Sequence, residues 1–191
     1  GGLFVPDEIP QIDESFLADL QPLTYEERAG KILGLFLTDY TTEEIQSCVE
    51  KAYGQGKFDA AMRAPVTIFD DVSVLELWHG PTSAFKDMAL QLLPQLMSTA
   101  LKKTGEKDEV LILVATSGDT GKAALDGYHD IPGVEIAVFY PTGGTSEIQR
   151  LQMATQEGTN VAVYAVRGNF DDAQTGVKKV FGDKAIAAEL E

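Results

Sequence analysis

The sequence is short of several things at once. In 191 residues it has one cysteine, two histidines and one tryptophan, and its fifteen basic residues stand against thirty acidic ones. A lone Cys48 excludes an internal disulfide, and a reducing, cytoplasmic setting is the expectation that goes with it. His79 and His129 are far apart and lack metal-ligand spacing, so no metal centre is expected. The formal charge of -15 and the scattered lysines and arginines argue against nucleic acid and against an anionic membrane surface as partners. No apolar run approaches the roughly 18 residues of a membrane span. What remains, at 44% hydrophobic content, is the composition of an ordinary globular protein.

The first third is patterned for helices. LTYEERAGKILGLFL places Thr24 as N-cap with Glu27 three residues on, ahead of Ala29, Ile32, Leu33 and Phe36. TTEEIQSCVEKAYG repeats the device with Thr41 and Glu44, an apolar face of Ile45, Val49 and Ala52, and Gly54 as a stop. VTIFDDVSVLELWHG alternates as a pair of short strands about a turn at Asp70 and Asp71. From Glu109 onward strand and helix alternate. EVLILVATSG, VEIAVFYPTGG and NVAVYAVRGN read as strands covered on both faces, with helices predicted over DTGKAALDGYHD, SEIQRLQMATQEG, where Ser146 and Gln149 form a capping box and Gly158 a stop, and DDAQTGVKKVFG. The predicted fold is α/β: a helical N-terminal region followed by an open parallel sheet flanked by helices. Three segments follow, 1–80 with helices and short strands, 81–105 as one helix, and 106–191 as the parallel α/β part. Ligands of such sheets bind at the carboxyl ends of the strands.

Two stretches could carry chemistry. ATSGDTGKAA, Ala115 to Ala124, stands where the first of the parallel strands ends. Its glycines let the backbone curl around a bound group, the hydroxyls of Thr116, Ser117 and Thr120 are donors, and a helix N-terminus points the same way. It is not a Walker A loop, because Thr116 replaces the first glycine and Ala123 replaces the magnesium-binding hydroxyl. The plain alternative is a strand-to-helix turn capped by Asp119 or Thr120. HGPTSAFKDMALQLL, His79 to Leu93, sets Lys86 behind Gly80 and Pro81, with Thr82 or Ser83 as the expected N-cap and Phe85 alongside. A lysine near a helix start is ordinarily a solvated surface residue. In the first turn of a largely apolar helix, however, dipole and burial would both favour the neutral amine that attacks carbonyls, unless Asp87 faces it. His129 is expected to decorate a helix end, Pro94 to kink or end the helix, Arg167 to Gln174 to hold N-caps, and Trp78 and the phenylalanines to fill the core.

Taken together, LFVPDEIP, LWHGPTSAFKDMALQ, VATSGDTGKAA and TSEIQRLQMATQEGTNVAVYAVRGNFDDAQ resemble, in order and over nearly the whole chain, the threonine synthases, pyridoxal-phosphate enzymes of the tryptophan-synthase β-subunit fold (fold type II). The resemblance implies a lyase that converts O-phospho-L-homoserine and water to L-threonine and phosphate. It further implies Lys86 as the Schiff-base and proton-transfer lysine, with Phe85, Ser117, Gly118, Asp119, Thr120 and Gly121 around pyridoxal 5'-phosphate and Asp119 near the ring hydroxyl. The family's glycine-rich cradle for the cofactor phosphate comes later than Glu191, and the chain opens without methionine. An inactive, truncated piece with an exposed sheet edge or apolar face, prone to associate, is therefore expected. Another lyase of the same cofactor fold, such as a serine or threonine dehydratase or a sulfhydrylase, and a noncatalytic binding domain are the rival readings.

Overall fold

The computed structural model describes residues 4–190. Leu3, which opens the LFVPDEIP stretch, and Glu191 lie outside them. Three helices come first: α1 (Glu14–Leu20), α2 (Tyr25–Gly34) and α3 (Thr42–Tyr53). The capping boxes of Thr24 with Glu27 and of Thr41 with Glu44 both form, and Asp13 caps the unforeseen α1 by accepting from the Phe16 N–H. α2 lays Tyr25, Ala29 and Leu33 on Ile45, Val49, Ala52 and Tyr53 of α3, with Phe58 closing the cluster. Ile32 and Phe36, expected on that face, are about half exposed. Ile32 is turned one residue, about 100°, away from Leu33, and Phe36 lies beyond the helix end, where the spacing no longer holds.

A hairpin follows, β1 (Val66–Phe69) antiparallel to β2 (Val72–Leu75), with Phe69 opposite Val72 and Asp70 in the left-handed region at the turn. Its Val66, Ile68, Phe69, Val72 and Leu75 are each more than half exposed. The next segment differs from expectation. In place of one helix starting near Ser83 and kinked or ended at Pro94 there are two, a single-turn α4 (Asp87–Leu90) and α5 (Leu93–Thr104), divided just before that proline. Pro94 is the second residue of α5, within the first turn, where its missing N–H costs nothing. Hydrogen bonds from Tyr53 Oη to the Met88 carbonyl (2.5 Å) and from Tyr40 Oη to the Leu96 carbonyl (3.0 Å) fasten both to the helical region.

The remainder is β3 (Val110–Ala115), α6 (Asp119–Tyr128), β4 (Val134–Pro141), α7 (Glu147–Ala154), β5 (Val161–Val166), α8 (Phe170–Gly182) and α9 (Lys184–Leu190). The three strands form a parallel sheet in the order β3-β4-β5. Alternation along β4 sends Val134, Ile136 and Val138 to one face, where they meet Leu125 and Tyr128 of α6 and Met153 of α7 in the main core. α8 packs on β3 and β4 without entering that cluster, which places it on the opposite face. A helical N-terminal region followed by a parallel sheet flanked by helices is thus the fold. The phenylalanines and Trp78 do not fill the core as a class: Phe58 is buried, whereas Trp78, Phe69, Phe85 and Phe181 are more than half exposed. Among the described residues no helix is long and apolar enough to cross a membrane.

Candidate active site

Between β2 and α4 the chain folds back on a single carboxylate. Asp87 is fully buried, and its two oxygens accept from the Thr82 N–H (2.9 Å), the Thr82 hydroxyl (2.6 Å) and the Ala84 N–H (3.4 Å). Gly80 makes the enclosure close enough, since a Cβ there would stand 2.5 Å from the Asp87 Cβ. The tight path also forces Ser83 to a φ of 57°, a left-handed conformation that a serine adopts only where its surroundings hold it. Burial pushes the Asp87 carboxyl above the ordinary aspartate range; the hydrogen bonds from Thr82 and Ala84 oppose that rise, and nearby Asp126 adds to it.

This reverses the expected capping. Thr82 and Ser83 do not cap a long helix; Asp87, the first residue of α4, reaches back to Thr82 instead, and Lys86 occupies the N-cap position with no side-chain cap bond. The dipole behind Lys86 is accordingly that of one turn, not of the long helix expected. Asp87 faces away from the lysine, into the loop. The Lys86 carbonyl accepts from the N–H groups of Ala89 (3.1 Å) and Leu90 (2.9 Å), which fixes its main chain. Its half-buried side chain lies with Nζ 4.9 Å from the centroid of the exposed Phe85 ring. Among the described residues no hydrogen bond or ion pair engages that ammonium.

The loop after β3 is built on Thr116. Its buried hydroxyl oxygen accepts from the N–H groups of Gly118 and Gly121, each at 2.9 Å, and so does the work expected of Asp119 or Thr120. Gly118 is the N-cap residue, with a φ of 144° that a side chain would oppose. Asp119 is exposed; its Oδ1 accepts from Gln149 Nε2 of α7 at 2.7 Å and lies 3.7 Å from Lys122 Nζ. Ser117 is exposed and Thr120 half-buried, and both stand at the mouth of the α6 N-terminus.

Lys86 and residues 117–121 do not touch by any hydrogen bond among the described residues. They are tied to the same two helices. The Leu90 carbonyl presses on α6 where Gly127 has no Cβ, Gln91 Nε2 donates to Asp126 Oδ2 at 2.7 Å, and Gln152 Nε2 of α7 donates to the Thr82 carbonyl at 3.5 Å. Sequence reasoning missed Gln91, Asp126 and Gln149 as partners of these loops. Only Gln149 left a local trace, at the third position of a predicted capping box.

His79, at the head of the lysine loop, is held more firmly than a solitary histidine would be. Its Nδ1 is 2.5 Å from Asp59 Oδ1 and its Nε2 2.7 Å from Glu76 Oε2, while its carbonyl accepts from the Asp59 N–H. The bonds to Glu76 first, then to Asp59, raise the imidazole above its ordinary value against a smaller opposing effect of burial. His129, by contrast, is the C-cap of α6, at a helix end as expected.

Two outcomes follow from this geometry. Replacing Asp87 by alanine leaves the Thr82 and Ala84 amides without acceptors, at about 1–3 kcal/mol for each buried group left unsatisfied. Hydrogen exchange at Thr82 should then accelerate and the urea midpoint fall; unchanged exchange would refute the caging role. For His79, a folded-state value above the unfolded one means its contribution to stability is complete below about pH 6.5 and is lost as pH rises through the raised value. A series of urea melts across neutral pH should show that decline in the unsubstituted protein and a flatter profile in His79→Gln, and equal slopes would contradict it.

Compared with known proteins, residues 1–53 match the family model described as the threonine synthase N terminus. Threonine synthase of Pseudomonas aeruginosa is 41% identical over 188 residues, covering 97% of this chain and 39% of that protein. Threonine synthase-like 2 of Mus musculus is 35% identical, over 97% of this chain and 38% of that protein. Among solved structures, PLP-bound threonine synthase from Brucella melitensis superposes with a TM-score of 0.91 at 35% identity, over 100% of this chain and 40% of that one. The yeast threonine synthase gives 0.88 at 36%, over 97% and 39%. The chain therefore spans about two fifths of the length of the relatives it matches, and across that span it is similar, in sequence and in fold, to the threonine synthases.

Proposed function

We propose that the chain forms part of a pyridoxal-phosphate-dependent lyase, a threonine synthase, in which Lys86 holds the cofactor. The observation that carries this reading is an amine with a fixed main chain and an uncommitted Nζ, presented at the edge of a loop that a buried carboxylate keeps in shape. The residues fit pyridoxal phosphate. Lys86 offers the amine for its aldehyde, exposed Ser117 and Asp119 offer a donor and an acceptor for ring substituents, and Phe85 offers an apolar wall. Gly118, Thr120 and Gly121 complete the loop, and a ten-residue helix begins behind it.

When bound, the cofactor supplies an electron sink for charge that develops on the substrate's carbons. The work of this chain is to hold and orient it, and to move protons: Lys86 Nζ is the group that carries them between substrate carbons. The reaction we assign is the conversion of O-phospho-L-homoserine and water to L-threonine and phosphate, with loss of the γ-phosphate and addition of water at the β-carbon. We assign residues 1–80, 81–105 and 106–191 as its supporting region, its lysine segment and its cofactor-facing region. Since the chain spans about two fifths of its relatives, the activity is read as that of the longer protein, and the 191 residues by themselves as inactive.

The intact protein supplied with pyridoxal phosphate and O-phospho-L-homoserine should release threonine and phosphate in equal amounts. Lys86→Ala should lower the rate by about a thousandfold or more. Release of a deaminated keto acid without threonine would place the protein with the dehydratases instead. Absence of any turnover would favour a binding domain.

A further inference from the structure

Four helices among those described open with a reciprocal capping box, and three of them use a carboxylate at the third position: Glu27 in α2, Glu44 in α3 and Asp172 in α8. α7 uses an amide, Gln149. The box itself asks only for an acceptor, which a glutamate supplies at least as well. The amide adds a donor. Gln149 Oε1 accepts from the Ser146 N–H at 3.3 Å, while Nε2 donates to Asp119 Oδ1 at 2.7 Å. A glutamate here would set a second carboxylate against Asp119.

The opposite loop is shaped to receive that amide. A Cβ on Gly118 would stand 2.3 Å from Gln149 Oε1 and 2.5 Å from its Cδ, so the space the side chain occupies exists only because residue 118 has none. Lys122 Nζ, at 3.7 Å, is too far from Asp119 for a hydrogen bond. Gln149 is then the direct donor to the Asp119 side chain among the described residues, and it joins the loops at the carboxyl ends of β3 and β4.

We propose that Gln149 is a positioning residue, whose amide orients the Asp119 carboxylate and thereby sets the 117–121 loop for the cofactor; this rests on the reading of that loop given above. Asp119 is exposed and would otherwise be free to change rotamer. Held by Gln149, it keeps one direction whether or not a ligand is present.

Gln149→Glu tests this, because it preserves the capping box while replacing the bond to Asp119 with a contact between two carboxylates, a repulsion that the paired exchange with Asp119→Asn removes. In the cofactor-free intact protein, hydrogen exchange at the Gly118 and Gly121 amides should accelerate about tenfold, while the Gln149 and Arg150 amides in the first turn of α7 keep their protection. The pair Asp119→Asn with Gln149→Glu exchanges donor and acceptor, and should return the loop amides toward the original rate. In the cofactor-loaded protein, Gln149→Glu should shift the pH midpoint of the cofactor's visible absorption band. Unchanged exchange at Gly118 and Gly121, equal loosening of loop and helix, or an unshifted pH midpoint would each overturn the proposal. Failure of the unsubstituted protein to carry the cofactor on Lys86 would overturn the underlying reading instead, and the exchange measurement, made without cofactor, tells the two failures apart.

Discussion

A buried carboxylate organises the candidate site. Removing the Asp87 side chain from water costs several kcal/mol after relaxation, and among the described residues that cost is offset by donors aimed at its two oxygens. Three are aimed there, two main-chain N–H groups and a hydroxyl, all from residues 82–84. Hydrogen bonds to a charged group are worth about 1.5–3 kcal/mol each; here they offset part of the burial cost without cancelling it, since the Asp87 carboxyl stays above its ordinary range, and they close the turn in which Ser83 is left-handed. Lys86 is the residue between this enclosure and α4. Its main chain cannot move unless the enclosure opens.

The same constraint extends outward by close contacts rather than by charge. α4 can carry the Leu90 carbonyl onto α6 only because Gly127 has no Cβ, which would stand 2.0 Å from that oxygen. α6 can sit against the strand end only because Gly121 leaves room for the Thr116 methyl and for Val138. Glycines thus mark where backbone meets backbone or side chain at the shortest range, and their positions lead from the lysine loop through α6 to the Thr116 turn. His79 anchors the near end of the path to Asp59 and Glu76, Gln149 the far end to Asp119.

Much of the architecture was legible because the rules behind it are local. The boxes at Thr24, Thr41 and Ser146 form as read, since a capping box needs only residues three apart. The hairpin turn at Asp70 and the three parallel strands likewise follow from alternation and apolar runs, although only β4, the middle strand, is largely buried, and β3 and β5 are not covered on both faces as their apolar runs imply. What escaped depends on contacts without a fixed spacing. Asp87 reaching back five residues to Thr82, Thr116 capping α6 from outside it, and Gln149 crossing to another loop have no periodic signature. Hydrophobicity misled in one respect: Trp78 and Phe85 are apolar yet exposed, and composition does not say which apolar residues face a core. The helix read over 81–105 is divided just before Pro94, as a residue expected to kink or end it requires: in a helix interior a proline cannot complete the ladder, whereas at the start of α5 it need not.

Lys86 is proposed as the amine that the Asp87 enclosure presents to pyridoxal phosphate. Borohydride reduction of the cofactor-loaded intact protein, followed by peptide mass spectrometry, reads that assignment directly. It predicts a phosphopyridoxyl group on Lys86. The same group on Lys122 or any other lysine, or no adduct at all, would contradict it.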